Sequence, residues 1–237
     1  MEEDLVDVLI RLQEENELNV EDNCIKAIIV EIFIAGSETS STTVIWAMSE
    51  MMKNPGTLQK AQAEVRQVFN RKAKGEIDQS DINELSYLKL VIKETFRLHP
   101  PATLMAPRES REKCEINGYE IPKGTKAFVN AWAIGRDPEY WNDAESFKPE
   151  RFEDLAVNYK GNNFEFIPFG AGKRICPGMS LGLANIELPL AQLLYNFDWK
   201  LANGLKPEEL DMTELFGATV GRKSNLLLIP TPYFYQP

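Results

Sequence analysis

Apolar side chains recur at helical spacing through the first hundred residues. The pattern predicts helices over residues 4–15, 22–53, 57–73 and 87–98, with a short helical turn at 81–85. The helix at 22–53 is apolar on most sides through Ile25–Phe33, which indicates that this part is buried. Asn19 or Asp22 could cap its start, and Asn54-Pro55-Gly56 is expected to end it.

Beyond residue 113 the pattern changes to short β-forming runs. Cys114–Ile116 and Tyr119–Ile121 flank Asn117-Gly118, a two-residue sequence that favours hairpin turns, so they are predicted to pair. Further elements are expected, in chain order, as a strand at Lys126–Asn130, a turn-rich segment at 132–169, a last helix at 179–196 and one hairpin arm at Leu226–Ile229. These elements predict a protein that is mainly α with small β-sheets.

Charge and rare residues narrow the classes of function. The 237 residues carry a net charge of -10, which argues against nucleic-acid binding because phosphate backbones are themselves negative. The three cysteines, Cys24, Cys114 and Cys176, form no CxxC pair, and the single histidine is His99. These counts argue against a disulfide framework and against a zinc site. Cys24 and Cys114 are interpreted as ordinary helix and strand residues.

The start of the chain lacks the features of a targeting segment. Met1-Glu2-Glu3-Asp4 is acidic, whereas a signal peptide begins with basic residues. The most apolar run, Ala27–Gly36, is too short to cross a bilayer and contains Glu31. We therefore expect that this chain does not itself span a membrane.

Residues 168–178 carry the most specific chemistry in the chain. Three glycines and two prolines flank Cys176 there, and glycine lets the backbone approach a flat ligand closely. Such a loop can direct amide N–H groups at the sulfur. Lys173, Arg174 and the helix that begins at Gly178 add positive charge that favours a thiolate. The alternative interpretation is a buried structural cysteine in a turn, which is the usual state of a free cysteine.

Two arginines and a glutamate form a second pattern. Glu94 and Arg97 lie three residues apart, so they share one face of the helix that ends before Pro100-Pro101. Arg151, further along the chain, could complete a carboxylate with two guanidinium partners. Alternatively, Glu94 and Arg97 are a solvated helix pair of little energetic weight.

The cysteine loop resembles the haem-binding signature of the cytochrome P-450 family. The residues that match this signature are Phe169, Gly170, Gly172, Arg174, Cys176 and Gly178. The resemblance runs in order through the whole chain. Segments such as 132–137 and 180–189 are similar to plant microsomal members that oxidise terpenoids. The resemblance implies that the chain forms the C-terminal half of that fold. Residues 1–237 would then be one partial domain that lacks the N-terminal half and the membrane anchor.

The resemblance implies a role for each residue of these patterns. Cys176 would be the axial thiolate ligand of haem b, and Arg174 and Arg108 would pair with the haem propionates. A surface arginine is the alternative for Arg108, and His99 would be structural or lie near a propionate. Further cofactor contacts are expected from Phe169, Gly170 and Gly178, and a structural lock on the cysteine pocket from Glu94, Arg97 and Arg151.

Ala35–Ser40 resembles the oxygen-binding helix of the family. Its small residues would make room against the haem, and Thr39 would help deliver protons to dioxygen, with Glu38 as the acidic partner. Hydroxyl groups that bond back to carbonyls one turn earlier, with a kink in the helix, are the alternative interpretation, and the two can coexist. The substrate pocket is expected to include Phe33, Ala35, Gly36, Ala102, Thr103, Leu104, Ala218 and Thr219.

By resemblance the function is that of a haem-thiolate monooxygenase. It would insert one atom of dioxygen into a small hydrophobic substrate, a terpenoid or related plant metabolite, with electrons from NADPH through an NADPH-cytochrome reductase. The full-length protein is expected on the cytosolic face of the endoplasmic reticulum membrane, held only by its N-terminal anchor.

Two alternatives to this function stay open. One is a truncated, inactive chain that binds haem weakly or not at all. The other is a haem-thiolate isomerase or dehydratase that uses no external oxygen. Thr39 argues against the second alternative, because such relatives tend to lose that threonine.

Overall fold

The computed structural model describes residues 3–15, 21–71 and 78–234. Within them the chain is mainly helical and carries four two-stranded antiparallel sheets, so the predicted fold class is confirmed. The helices are α1 (Leu5–Glu14), α2 (Asp22–Lys53), α3 (Pro55–Phe69), α4 (Gln79–Glu84), α5 (Ser86–Leu98), α6 (Ala131–Ile134) and α7 (Met179–Asn196). The strands are β1 (Arg108–Glu109), β2 (Cys114–Ile116), β3 (Tyr119–Ile121), β4 (Lys126–Ala127), β5 (Phe197–Leu201), β6 (Glu214–Leu215), β7 (Gly221–Arg222) and β8 (Leu228–Pro232).

The hydrophobic core lies where the second half of α2 packs against α3, α5 and α7. Each of these helices contributes a side chain with no exposed surface, namely Met51, Val65, Ile92 and Leu190 in turn. Burying one such side chain contributes about 1.5–3 kcal/mol. This core fixes the relative positions of α2, α5 and α7, which carry the residues of the candidate site.

The first half of α2 is exposed instead. Phe33 is 74% exposed and Ile34 57%, whereas Ile25 is buried. The expectation that Ile25–Phe33 is buried is therefore wrong for most of this stretch. The buried residues of α2 lie mainly between Ser40 and Met52, because the elements that cover this helix pack along its second half.

By length and composition, α2 is also apolar enough to cross a membrane. Little of its most apolar stretch is buried. This differs from the expectation of no such segment, which considered only the run Ala27–Gly36. One such helix is weak evidence for a membrane span, because core helices of soluble proteins meet the same criterion. The buried second half of α2 ties it to the core.

Helix boundaries follow the predictions with local differences. The range 22–53 is confirmed for α2, but its N-cap residue is Glu21, which makes no side-chain cap. Asn19 lies outside the described residues. Helix α3 starts at Pro55 rather than at residue 57, because proline at the first helical position lacks only an N–H group that would be unpaired there.

The hairpin around Asn117-Gly118 is confirmed, with φ values of 51° and 81° at the two turn residues. The predicted strand Lys126–Asn130 is shorter than expected, since β4 ends at Ala127. Asn130 belongs to the next element instead, because its side chain accepts a hydrogen bond from the amide of Ala133 and so caps α6. In place of a local hairpin at the C-terminus, β8 pairs with the distant β5.

Candidate functional site

An open cleft of about 220 Å³ lies between α2, the segment after α5 and the loop before α7. Cys176 and Arg174 line it from the loop, Thr39 and Thr43 from α2, and Arg108 from β1. The other lining residues are mainly apolar and comprise Ser40, Phe96, Pro101, Ala102, Met105, Ala106, Pro168, Phe169, Gly170, Gly182 and Ile186. The fold thus brings the predicted thiol, hydroxyl and guanidinium groups to one cavity.

The cysteine loop is a tight turn that presents its sulfur to the cleft. Gly170 and Gly172 adopt φ values of 77° and 66°, a region that disfavours side chains. The amide of Cys176 donates to the carbonyl of Phe169 at 2.9 Å and closes the turn. Cys176 is exposed, so the alternative of a buried structural cysteine does not hold in this structure.

Phe169 supports the loop from behind with aromatic contacts. Its ring meets those of Phe96 and Tyr159 edge-on, at centroid distances of 5.1 and 5.5 Å. Gly182 of α7 lies next to the same ring, and a Cβ there would make ordinary van der Waals contact with it at 3.8 Å. Phe169 therefore fixes the loop against α5 and α7 while it also lines the cleft.

Gly161 is a loop-supporting residue that the sequence analysis missed. Its φ is 73°, and a Cβ there would lie 2.8 Å from the Ala171 Cα and 2.9 Å from the Gly170 carbonyl oxygen. A side chain would therefore push the cysteine loop out of place. The only sequence signal was a glycine in a polar turn, which is common in any protein.

Glu94, Arg97 and Arg151 form one cluster, in which Glu94 and Arg97 are buried and Arg151 is partly exposed. Both carboxylate oxygens of Glu94 accept from Arg97 at 2.8 Å, and one also accepts from Arg151 Nε at 2.9 Å. The amide of Lys148 donates to the same oxygen at 2.8 Å. The Glu94 and Arg97 side chains are 0% exposed, so the alternative of a solvated helix pair does not hold.

Arg97 also binds backbone carbonyls and thereby ties distant segments together. It donates to the carbonyl oxygens of Gly135 at 2.5 Å, Ala144 at 2.7 Å and Ser146 at 3.2 Å. A Cβ on Gly135 would lie 2.2 Å from the Arg97 carbonyl oxygen. Gly135 is therefore a second supporting glycine that the sequence did not reveal, because its constraint comes from a remote backbone.

Hydroxyl groups of α2 bond back along the helix beside the cleft. Thr39 Oγ1 donates to the carbonyl of Ala35 at 2.7 Å, and Thr43 Oγ1 donates to that of Thr39 at 2.9 Å. The hydroxyl of Ser40 is buried without a hydrogen-bond partner among the described residues. Glu38 is exposed and accepts from the hydroxyl of Thr219 at 2.5 Å. The hydroxyl groups of Thr39 and Thr43 therefore bond back to helix carbonyls, as the alternative interpretation expected, and Thr39 lines the cleft as well.

The predicted substrate-pocket residues divide among several surfaces. Ala102 lines the cleft, Gly36 lines a groove between α2 and α7, and Thr103 and Leu104 line a separate pocket beside Phe216. The residues that line none of these cavities are Phe33, Ala35, Ala218 and Thr219. Their assignment to a substrate pocket stays a prediction.

His99 belongs to a buried network outside the cleft. Its ring stacks on Trp46 at a centroid distance of 3.9 Å, and its nitrogens contact carboxylate oxygens of Glu50 at 2.7 Å and Glu214 at 3.3 Å. Burial tends to raise the pKa of Glu214, but the hydrogen bond and charge of His99 and the charge of Arg136 hold it below its ordinary value. His99 is therefore structural here.

The cleft fits the group that the resemblance implies. No hydrogen bond or ion pair among the described residues engages the side chains of Cys176, Arg108 or Arg174. A flat apolar ring with two carboxylates and a metal would find apolar walls, two cations and a sulfur ligand there. Ser40, whose buried hydroxyl has no hydrogen-bond partner among the described residues, also lines this cleft.

Comparison with known proteins places the chain in a family. A sequence profile described as Cytochrome P450 matches residues 1–229. The chain is 65% identical over 233 residues to a desmethyl-deoxy-podophyllotoxin synthase of Sinopodophyllum hexandrum, covering 97% of this chain and 45% of that protein. It is 62% identical over 233 residues to a 5-epiaristolochene 1,3-dihydroxylase of Nicotiana tabacum, covering 98% of this chain and 46% of that protein.

Solved structures agree with the sequence comparison. A zebra fish cytochrome P450 structure with abiraterone superposes with a TM-score of 0.86 at 28% sequence identity, covering 98% of this chain and 53% of that one. The chain spans about half the length of the curated relatives it matches. The match to the family profile includes the cysteine loop, the buried Glu94 cluster and α2, and the chain belongs to the cytochrome P450 family.

Proposed function

We propose that this chain is the thiolate-bearing part of a haem monooxygenase that acts on a small hydrophobic plant metabolite, a terpenoid or related compound. The observation that carries the proposal is an exposed Cys176 in a largely apolar cleft that also contains Arg108 and Arg174. The similarity to a 5-epiaristolochene 1,3-dihydroxylase supports a terpenoid substrate.

Cofactor binding is assigned to the residues of the cleft wall. When bound, haem b supplies an iron that activates dioxygen, with a thiolate ligand that favours O–O cleavage. Cys176 would provide that thiolate, and Arg108 and Arg174 would neutralise the two propionates with charge-assisted hydrogen bonds. Phe169, Gly170 and Gly178 would contact the ring or its ligand. The cluster of Glu94, Arg97 and Arg151 would keep this wall in place, and its members are assigned as structural residues.

Thr39 and Glu38 are assigned to proton handling. The proposed reaction converts a C–H bond, dioxygen, two electrons and two protons into an alcohol and water. The Thr39 hydroxyl donates to the Ala35 carbonyl, so its oxygen keeps lone pairs that can accept a hydrogen bond in the cleft. A rotation of that hydroxyl would present its proton to the cleft, and Glu38 would resupply it.

The partners of the reaction follow from the same proposal. We assign the electrons to NADPH through an NADPH-cytochrome reductase, with dioxygen as co-substrate. The location proposed for the full-length protein is the cytosolic face of the endoplasmic reticulum membrane, with an N-terminal anchor. The partial-domain assignment of residues 1–237 is part of this proposal.

A second candidate is a chain that associates with another polypeptide and has no catalysis of its own. The exposed apolar side chains of α2, with Phe33 at 74% and Ile34 at 57%, favour it because such surfaces mark association sites. A haem-thiolate isomerase or dehydratase is a third candidate. Thr39 in the cleft supports the monooxygenase over that one.

The test is turnover of a terpenoid panel by the haem-loaded protein with NADPH, reductase and isotopically labelled dioxygen. One labelled oxygen atom in the product, lost in Cys176→Ala, is expected. Product formed without dioxygen would favour the isomerase. Failure to bind haem, with Cys176 intact, would favour the non-catalytic candidate.

A further inference from the structure

The β6–β7 hairpin reaches back to α2 at the residue next to Thr39. The Thr219 hydroxyl donates to Glu38 Oε1 at 2.5 Å, although the two residues are 181 positions apart in the chain. We propose that Thr219 is a positioning residue that fixes the orientation of the Glu38 carboxylate, on the residue that precedes Thr39 in α2. The inference rests on the proposed function, because it assigns Thr219 to the orientation of the group that would resupply protons.

Thr219 is next to a firmly anchored residue. Val220 is buried, its amide donates to the Pro101 carbonyl at 3.0 Å, and its carbonyl accepts from Trp46 Nε1 at 3.0 Å. The Arg222 guanidinium lies 5.5 Å from the centre of the Trp46 ring. The Thr219 hydroxyl is therefore carried by backbone that is attached to both α2 and the segment after α5.

The start of the hairpin is anchored separately through Glu214. One of its oxygens contacts His99 Nδ1 at 3.3 Å, and the other accepts from Trp132 Nε1 at 3.2 Å. His99 in turn contacts Glu50 of α2 at 2.7 Å. Both ends of the connection that carries Thr219 are thus held on the same scaffold as α2.

Glu38 has little else to fix its side chain. It is exposed, and among the described residues the Thr219 hydroxyl is the only hydrogen-bond donor to its carboxylate. Its neighbours Thr39 and Ser41 are fixed by hydrogen bonds to helix carbonyls, of Ala35 and of Glu38 itself. A glutamate without a partner would sample several rotamers, so Thr219 selects one of them.

The contact is tested by amide hydrogen exchange in the hairpin. Val220 and Lys223 are the probes, because their amides donate to the carbonyls of Pro101 and Thr213. We expect Thr219→Val and Glu38→Met each to speed exchange at these amides by about threefold to tenfold, the size of one hydrogen bond. The double variant should be no faster than either single one. Thr219→Ser, which keeps the hydroxyl, is the matched control and should exchange as the unaltered protein does.

Additive effects in the double variant, or no change in Thr219→Val, would overturn the contact.

The positioning role is tested in the haem-loaded protein with reductase. The quantity measured is the fraction of NADPH consumption that yields product rather than peroxide. Thr219→Val should lower that fraction at least about threefold, and Thr219→Ser should restore it. An unchanged fraction, with faster hairpin exchange, would contradict the positioning role. Absence of turnover in the unaltered protein would contradict the proposed function, and the exchange result would still decide whether Thr219 holds Glu38.

Discussion

The Glu94 cluster and the Cys176 cleft stand on the same scaffold but are organised in opposite ways. In the cluster every charge is paired, and the side-chain exposure is 0% for Glu94 and Arg97 and 10% for Arg151. In the cleft, Cys176 is exposed, and no described residue pairs with the side chains of Cys176, Arg108 or Arg174. The polar groups that are satisfied within the chain stabilise it, and those that are left unsatisfied are available to a ligand.

Because of this difference, substitutions in the cluster and in the cleft should have different effects. A buried charge that loses its partner is costly because the protein interior solvates it poorly. An exposed side chain at the cleft can be removed with little change in folding, but a bound ligand would lose a contact. Stability and ligand binding should therefore respond to different residues.

The largest effect on folding is expected from Arg97→Ala. The substitution leaves the buried Glu94 with Arg151 and the Lys148 amide as its hydrogen-bond donors among the described residues, and it frees the carbonyls of Gly135 and Ala144. We therefore expect a loss of about 3–5 kcal/mol in the free energy of unfolding. Urea denaturation measures it. The control is Arg71→Ala, whose ion pair with Glu84 is more than half exposed and should contribute about 1 kcal/mol or less. Equal losses in the two variants would show that the cluster is not a structural lock.

Gly135→Ala should destabilise the protein next most. The added Cβ would meet the Arg97 carbonyl oxygen at 2.2 Å, and relieving that overlap should cost about 1–3 kcal/mol. The control is Gly56→Ala in α3, where nothing lies within 4 Å of the added Cβ and alanine favours the helix. A lower melting temperature for Gly135→Ala than for Gly56→Ala would support the close approach of Gly135 to the Arg97 carbonyl. Equal melting temperatures would rule it out.

The cleft arginines should act on ligand binding instead. We expect Arg108→Ala and Arg174→Ala each to weaken haem binding about tenfold or more, as the loss of a hydrogen bond to a charged group would. The free energy of unfolding should change by about 0.5 kcal/mol or less, because both side chains are exposed and unpaired. Haem titration and urea denaturation on the same samples measure both quantities. A large loss of stability with unchanged haem affinity would reverse the assignment of the two regions.

The smallest effect concerns pH and the His99–Glu214 contact, which lies outside both regions. Its partners hold the pKa of Glu214 below the ordinary value of 4.5, so its stabilisation is present above that pH and is lost as the pH falls through the lower, folded value. Glu214→Gln should therefore reduce the acid sensitivity of unfolding as the pH falls below the ordinary value of 4.5, by about 1 kcal/mol or less. An acid titration that is unchanged in Glu214→Gln would contradict this role.

The sequence predicted those elements whose cause is local. The long α2, the last helix and the Asn117-Gly118 hairpin each depend on spacing, caps or turn residues within the element itself. The pairing of β8 with β5 was not predicted because register between distant strands leaves little mark on either sequence. The exposure of Phe33 was missed for a related reason, since burial depends on what packs there and not on hydrophobicity alone.

The candidate site divides in the same way. Cys176, Thr39 and Glu94 could be singled out because they fall within compact, recognisable patterns. Gly161 and Gly135 could not, because each is constrained by a backbone that lies far away in the sequence. The Thr219–Glu38 contact likewise joins residues 181 positions apart, and only the fold brings them together.

We propose that Cys176 presents its thiolate to haem in this cleft. The most direct measurement is the carbon-monoxide difference spectrum of the reduced, haem-loaded chain, recorded for the unaltered protein, Cys176→Ala and the control Cys114→Ala. We predict a Soret band with the red shift of thiolate ligation in the unaltered protein and in Cys114→Ala, and its loss in Cys176→Ala. An unaltered protein without the red shift, or a red shift that persists in Cys176→Ala, would contradict ligation by Cys176.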